Sequence, residues 1–256
     1  MDGWIGPLLA AAGFLGGIVN AVAGGATLIT FPAMLAAGLP PVIANASNAV
    51  AIFPGHFIAA LADREKLPSF DTRLLLLCSA TALGGLTGAA LLLILPARLF
   101  VLPVPGLIAF ATLLFAFAPR IQAWAQRSAR PGAHRRTFRS TAVLAAASVY
   151  GGFFGAGLGV VLTAVLAITE PNDIRAVKVL KNLLATCVTA TAMVVFITKG
   201  MVAWRETLVM LAGALAGGYA GGRLIRVLSP AFVRWLIIVS GSVMAGVYAQ
   251  RYWWPA

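Results

Sequence analysis

The sequence predicts an all-α integral membrane protein made of two inverted-topology repeats, each of about five helical segments with broken or re-entrant helices. Three observations predict it: an apolar composition, basic residues that alternate between apolar runs, and a repeat at a fixed offset. Of the 256 residues, 61% are hydrophobic and 10% are charged, and the mean hydropathy is +0.94. Soluble domains carry about 25% charged residues, so too few polar side chains are present to cover a water-exposed surface. The net charge of +12 reflects 19 Lys and Arg against seven acids. These basic residues fall between apolar runs, the positive-inside arrangement, and form no stripe of the kind nucleic-acid-binding domains present. Membrane lipid is therefore an expected partner and nucleic acid is not.

The apolar runs are 4–21, 26–37, 42–62, 71–95 and 97–118, then 140–157, 160–169, 174–198, 203–228 and 231–250. The N-terminal MDGWIGPLL has an acid and no basic leader, so it reads as part of the first membrane segment rather than as a signal peptide. Two runs, 26–37 and 160–169, are too short to cross about 30 Å of hydrocarbon at about 1.5 Å per residue. Each follows a glycine break: Gly24-Gly25 in one case and Gly155, Gly157 and Gly159 in the other. The sequence leaves open whether these short segments cross or re-enter.

One constant offset aligns Gly17 with Gly151, Gly25 with Gly159, Asn48 with Asn182, Gly84 with Gly218, Gly88 with Gly222, and Pro96-Ala97 with Pro230-Ala231. This reads as a duplication: a first repeat at 1–118, a basic linker at 119–139 and a second repeat at 140–256. Five segments per half make the halves inverted. The linker holds six arginines and no acid, so it is expected in the cytoplasm. Counting outward from it places 15 basic residues inside and leaves Arg98, Lys199, Arg205 and Arg251 outside. The expected location is the inner membrane, multi-pass, with both termini periplasmic.

Inverted repeats with broken helices place binding sites near the membrane midplane, where freed N–H groups and helix dipoles attract anions. The first break offers Asn20, Gly24, Gly25 and Thr27, and the second offers Gly157 and Gly159. The competing reading of such glycines is close helix packing, which is favoured for Gly84/Gly88 and Gly218/Gly222 in mid-helix. The third segment of each half supplies the other candidates. Asn45 and Asn48 share a helix face, with Ser47 beside them. Lys178, Asn182 and Thr186, followed by Thr189, form a polar stripe, with Lys181 to one side. Asn48 and Asn182 occupy equivalent positions and are expected close together at a common depth. The two lysines would add positive charge to an anion path or else extend to the interface. His56 reads as a packed or interfacial histidine, with a proton relay as the alternative.

No acid lies deep in any run, which disfavours a sodium or metal site built on carboxylates. Cys78 and Cys187 lie inside apolar runs without zinc or redox spacing and read as small hydrophobes. No metal, no cofactor and no catalytic residue is expected. There is no H-E-x-x-H, no pair of deep acids and no P-loop, so neither an enzyme nor an ATP-driven pump is expected.

The segment GGIVNAVAGGATLITFPAMLAAGLPPVIANASNAVA, with its weaker copy GGFFGAGLGVVLTAVLAI and AVKVLKNLLA, resembles the TauE/SafE group of sulfite exporters. The first copy carries G-G, A-G-G-A, a proline, the G-L-P-P turn and N-x-x-N. The second has Leu166 where Pro32 stands, and it adds two lysines. The resemblance implies a secondary transporter for sulfite, an organosulfonate or a related sulfur or carboxylate anion, working by alternating access in the export direction. The alternative is a non-transporting assembly or lipid-handling protein. The sequence leaves self-association open.

Overall fold

The computed structural model describes residues 3–22, 24–62, 64–128, 137–169, 174–224 and 229–254. They form eleven α-helices and one short 3-10 turn, with no strand among them. The first half holds α1 (Ile5–Val22), α2 (Thr27–Ala36), α3 (Pro41–Ala62), the turn Arg64–Lys66, α4 (Thr72–Ile94), α5 (Ala97–Val101) and α6 (Val104–Ser128). The second holds α7 (Thr137–Phe153), α8 (Leu158–Thr169), α9 (Ile174–Thr198), α10 (Trp204–Leu224) and α11 (Pro230–Trp253).

Five helices are long and apolar enough to cross a membrane: Pro41–Ala62, Thr72–Ile94, Arg98–Arg127, Ala176–Thr198 and Ala231–Trp253. Their outward faces expose Leu76, Leu83, Leu91, Leu113, Val239 and Val243, an apolar surface of the extent lipid covers. All six tryptophans are exposed and lie at helix ends: Trp124 and Trp235 at one end, Trp4, Trp204, Trp253 and Trp254 at the other. Amphipathic rings at both rims match the aromatic belts of membrane proteins.

The expected runs correspond to helices, with two differences. The 97–118 run is interrupted after Val101, before Pro103, whose missing N–H starts a new helix. Residues 119–128 of the basic stretch continue α6. Arg130, Arg135 and Arg136, like Glu170, Asp173 and Arg226, lie outside the described residues.

The short segments fold back on their predecessors. Gly16 of α1 lies against Thr30 of α2, and Gly151 of α7 against Leu158 of α8, so each break is the tip of a helical hairpin. With 10 and 12 residues, α2 and α8 extend only about 15 and 18 Å.

Contacts between helices exchange under a swap of halves. α1 packs on α10 as α7 packs on α4, α3 on α10 as α9 on α4, and α6 on α8 as α11 on α2. The pairs α3–α9 and α6–α11 map onto themselves. In the second pair Gly241 meets Thr112, and the Trp253 indole donates to the Leu102 carbonyl at 2.8 Å, so these helices run antiparallel. Self-paired helices must be antiparallel when the twofold axis crosses them, which is consistent with inverted repeats.

Glycines set the closest helix approaches. Gly84 and Gly88 of α4 lie against the backbone of Ala145, Val149 and Phe153 in α7, as the packing reading expects. In α10 the contacts fall on Gly213, Gly217 and Gly221, which meet Ala10, Phe14 and Ile18 of α1. Gly218 takes part only through its backbone, which lies against Gly17 of α1; a Cβ of its own would meet open space, so the close approach does not require glycine there.

Candidate functional site

Each hairpin tip forms because glycine can take a left-handed conformation that other residues avoid. Gly24 has φ +76° and closes α1 by donating its N–H to the carbonyls of Val19 and Asn20 at 3.2 and 3.1 Å. Gly155 has φ +79° and closes α7 in the same way, donating to Tyr150 at 3.2 Å; Gly157 follows at φ +80°. The Tyr150 hydroxyl then donates to the Ala156 carbonyl at 2.6 Å and holds the second tip against its own helix.

The tips meet beside the middle of α6. Gly25 packs on Phe115 and on Ile237 of α11, and Gly157 on Leu114 and Ala111. A Cβ on Gly159 would sit 3.7 Å from the Gly24 carbonyl oxygen, so the two breaks face each other directly. Among the described residues, the N–H groups of Gly25, Ala26, Gly157 and Gly159 donate no backbone hydrogen bond. They open the first turns of α2 and α8, where N–H groups pointing out of the helix and the positive dipole end coincide.

Lys181 of α9 reaches this junction. Its Cδ lies 3.8 Å from where a Gly159 Cβ would sit, and its Nζ 3.7 Å from where a Gly24 Cβ would sit. The side chain is half-buried and His56 of α3 is within charge–charge reach, whereas Lys178 is exposed. Asn20 adds an amide: its Nδ2 would be 2.7 Å from a Cβ on Gly55, so only glycine at 55 leaves room for it.

The structure therefore gathers Gly24, Gly159 and Lys181, with Gly25, Gly157 and the buried Thr27 in the surrounding tips and Asn20 in the last turn of α1, its amide against Gly55. It does not gather all the candidates. Asn45 donates to the Phe153 carbonyl at 3.0 Å, and the Ser47 hydroxyl accepts the Ala203 N–H at 2.9 Å. The polar stripe on α9 is largely self-satisfied, since Thr186 donates to the Asn182 carbonyl and Thr189 to Ala185, both at 2.8 Å.

The expected meeting of Asn48 and Asn182 is corrected. α3 and α9 are antiparallel: Ser47 reaches Ala203 beyond the end of α9, while His56 lies near Lys181 close to its start. Asn182 thus sits at the His56 level, eight residues or about 12 Å along α3 from Asn48. Equivalent positions on helices related by inversion fall at mirrored depths, and these two are too far from the axis to meet. Reading the sequence also left out the Asn20–Gly55 contact and the nearness of His56, because no local pattern marks a glycine opposite an amide on another helix.

A multi-pass bundle whose two broken helices abut, with the starts of two half-helices and the Lys181 side chain at the junction, has the architecture of a membrane transporter. The family profile described as sulfite exporter TauE/SafE matches residues 9–248. The chain belongs to the TauE/SafE family. It is 26% identical over 255 residues to a "Probable membrane transporter protein" of Haemophilus influenzae, covering 95% of this chain and 94% of that one. It is 28% identical over 236 residues to "Probable membrane transporter protein YfcA" of Escherichia coli K12, covering 90% and 84%. A third relative, "Probable membrane transporter protein ORF9" of Sinorhizobium sp, is 25% identical over 235 residues, covering 91% and 88%. No solved structure matches. The chain is an integral, multi-pass membrane transporter of the TauE/SafE type, acting on a small molecule.

Proposed function

We propose that this transporter moves a small oxyanion, such as sulfite, an organosulfonate or a related carboxylate, by alternating access, exporting it across the inner membrane. The observation that carries the reading is the convergence of both hairpin tips on Lys181. The starts of two half-helices and one ammonium form a site rich in donors, which suits a ligand bearing several acceptor oxygens. Asn20, Gly24, Gly25, Thr27, Gly157, Gly159 and Lys181 are assigned to anion contact or to its immediate support. Lys178, Asn182 and Thr186 lie on the approach from the basic end.

The orientation belongs to the same reading. Arg64, Lys66 and Arg73 lie near the start of α9, where the turn Arg64–Lys66 contacts that helix. Residues 119–128 of the basic stretch continue α6, which packs through Ala125 on Ala164 and Ala167 near the end of α8. Collecting these charges at one end favours a cytoplasmic basic end with both termini periplasmic.

The test is flux in liposomes of the purified protein, offered sulfite, an aliphatic sulfonate and small carboxylates from either side. Saturable flux of one class, abolished in the Lys181→Gln variant, is the expected result. Equal permeability of all solutes with and without protein would sink the proposal, as would flux confined to cationic solutes. Labelling of the 119–139 stretch from outside intact spheroplasts would refute the orientation.

A further inference from the structure

The second break has two chemically opposite ends, and only one faces Lys181. The other is the carboxyl end of α7, where the last carbonyls leave the helix and carry the negative end of its dipole. α3 brings the Asn45 carboxamide there, with Asn48 one turn further along the same helix face. Asn45, 2% exposed, donates through Nδ2 to the Phe153 carbonyl at 3.0 Å. That bond fixes the amide orientation, because the flipped amide would set Oδ1 against another oxygen. The Asn45 Oδ1 is buried with no hydrogen-bond partner, and so is Oδ1 of Asn48, 1% exposed and three residues further along the same face. Buried acceptors are normally satisfied, since leaving one bare forfeits its hydration without return.

We propose that the Oδ1 atoms of Asn45 and Asn48 are ligands of a monovalent alkali cation held at the carboxyl end of α7. The bare atoms are acceptors, and an oxyanion requires donors. One N–H of the Asn45 amide is already committed to Phe153. The helix end contributes partial negative charge of the sign a cation needs. An uncharged oxygen set is too weak for tight binding of a divalent ion. Helix-end carbonyls and neutral oxygens do hold sodium in other broken-helix transporters. The absence of deep carboxylates therefore argues against a divalent or tightly bound metal without excluding a weakly held alkali ion. The two ends of one break would then serve ligands of opposite sign: cation at the end of α7, donors at the start of α8.

The experiment is thermal unfolding of the purified, detergent-solubilised protein in NaCl, KCl or choline chloride at fixed ionic strength, with no substrate anion added. Because it reads cation binding alone, its outcome is independent of the proposed anion route. Sodium or potassium should raise the unfolding temperature saturably, by a few degrees over choline. Asn48→Leu removes an unpartnered acceptor at similar volume, so it should keep the choline baseline and lose the alkali-specific rise. Asn48→Asp adds a formal charge and should lower the half-effective sodium concentration about tenfold. Identical unfolding in all three salts would overturn the proposal, the acceptors then being satisfied by water alone. An undiminished alkali response in Asn48→Leu would overturn it too, since the ion would be bound elsewhere.

Discussion

The ammonium of Lys181 lies 3.7 Å from the point where a Cβ on Gly24 would sit, so a cation on α9 of one half ends at the hairpin tip of the other. Lys178, one turn away, is exposed. The two lysines are near neighbours in sequence and differ in what they face. Replacing Lys181 by Gln keeps length and polarity but removes the charge. Loss of even about 1.4 kcal/mol of attraction lowers transport efficiency tenfold. Lys181→Gln should therefore reduce anion flux at least about tenfold, with Lys178→Gln within about twofold of wild type. Initial rates in liposomes at matched protein density check this, and equal rates for both variants would remove Lys181 from the path.

The glycines of the tips separate into different roles. A methyl on Gly159 would meet the Gly24 carbonyl oxygen and the Lys181 stem at 3.7 and 3.8 Å, ordinary contact distances. Gly159→Ala should fold with near-native stability and weaken substrate binding by filling the space between the tips. A methyl on Gly25 would meet Phe115 and Ile237 at 2.8 and 2.9 Å, which is overpacking worth about 1–3 kcal/mol. Gly25→Ala should lower the unfolding temperature whatever it does to affinity. Gly24→Ala forces an alanine to φ +76°, at roughly 1–2 kcal/mol. Measuring affinity and unfolding temperature on all three variants separates the roles. A Gly159 variant that is destabilised but binds normally would make that position a packing site.

The sequence makes the broken helices legible because length is a one-dimensional quantity: no run of 10 or 12 residues spans a bilayer, whatever it packs against. The repeat shows that the two breaks correspond, while the meeting of Gly24 with Gly159 is a product of the packing. Rotation of each helix about its axis is much harder to read. α9 and α10 are apolar on most sides, so periodicity does not say which side faces the bundle. That is why Lys178 and Lys181 stand equal in the sequence, and why the packing face of α10 falls on Gly213, Gly217 and Gly221 rather than on Gly218. The Asn48–Asn182 expectation fails for a different reason. The offset identifies equivalent residues, but inversion sends equivalent residues to opposite depths unless they lie on the axis.

Close backbone approach at α1–α10 and α4–α7 leads to a stability prediction. Gly217 lies against the backbone of Phe14, and Gly88 against that of Val149 and Phe153, where no flexible side chain can yield. Gly217→Ala and Gly88→Ala should each destabilise by about 1–3 kcal/mol by separating the helices. Gly218→Ala, one residue from Gly217, should be neutral or slightly stabilising, because alanine favours helix by about 1 kcal/mol over glycine. Unfolding temperatures of the three variants in one detergent decide it. A Gly218 variant as unstable as the Gly217 variant would mean that α10 is rotated relative to this arrangement.

The two cysteines test how the halves are joined. Thr191 of α9 donates to the Ala82 carbonyl of α4 at 3.0 Å. Cys187 and Cys78 stand one turn before these residues on the same two helices, which makes them neighbours across the contact. Both are free and half-buried. The helices run in the same direction here, so the one-turn step keeps the residues in register, and the pair reports directly on the contact between halves. A short thiol-bridging reagent that becomes fluorescent only on joining two sulfurs should label the native protein within a single chain. Cys78→Ser and Cys187→Ser should each abolish the signal, and diluting the protein should leave it unchanged because both thiols belong to one molecule. Substitution by Ser is small enough that unfolding temperature should move little, and that control separates loss of the pair from loss of the fold. Failure of the folded wild-type protein to bridge, with each thiol still reacting singly, would show that α4 and α9 do not meet in this register. The placement of Lys181 beside the tips would then need revision, because Lys181 is carried by the same helix.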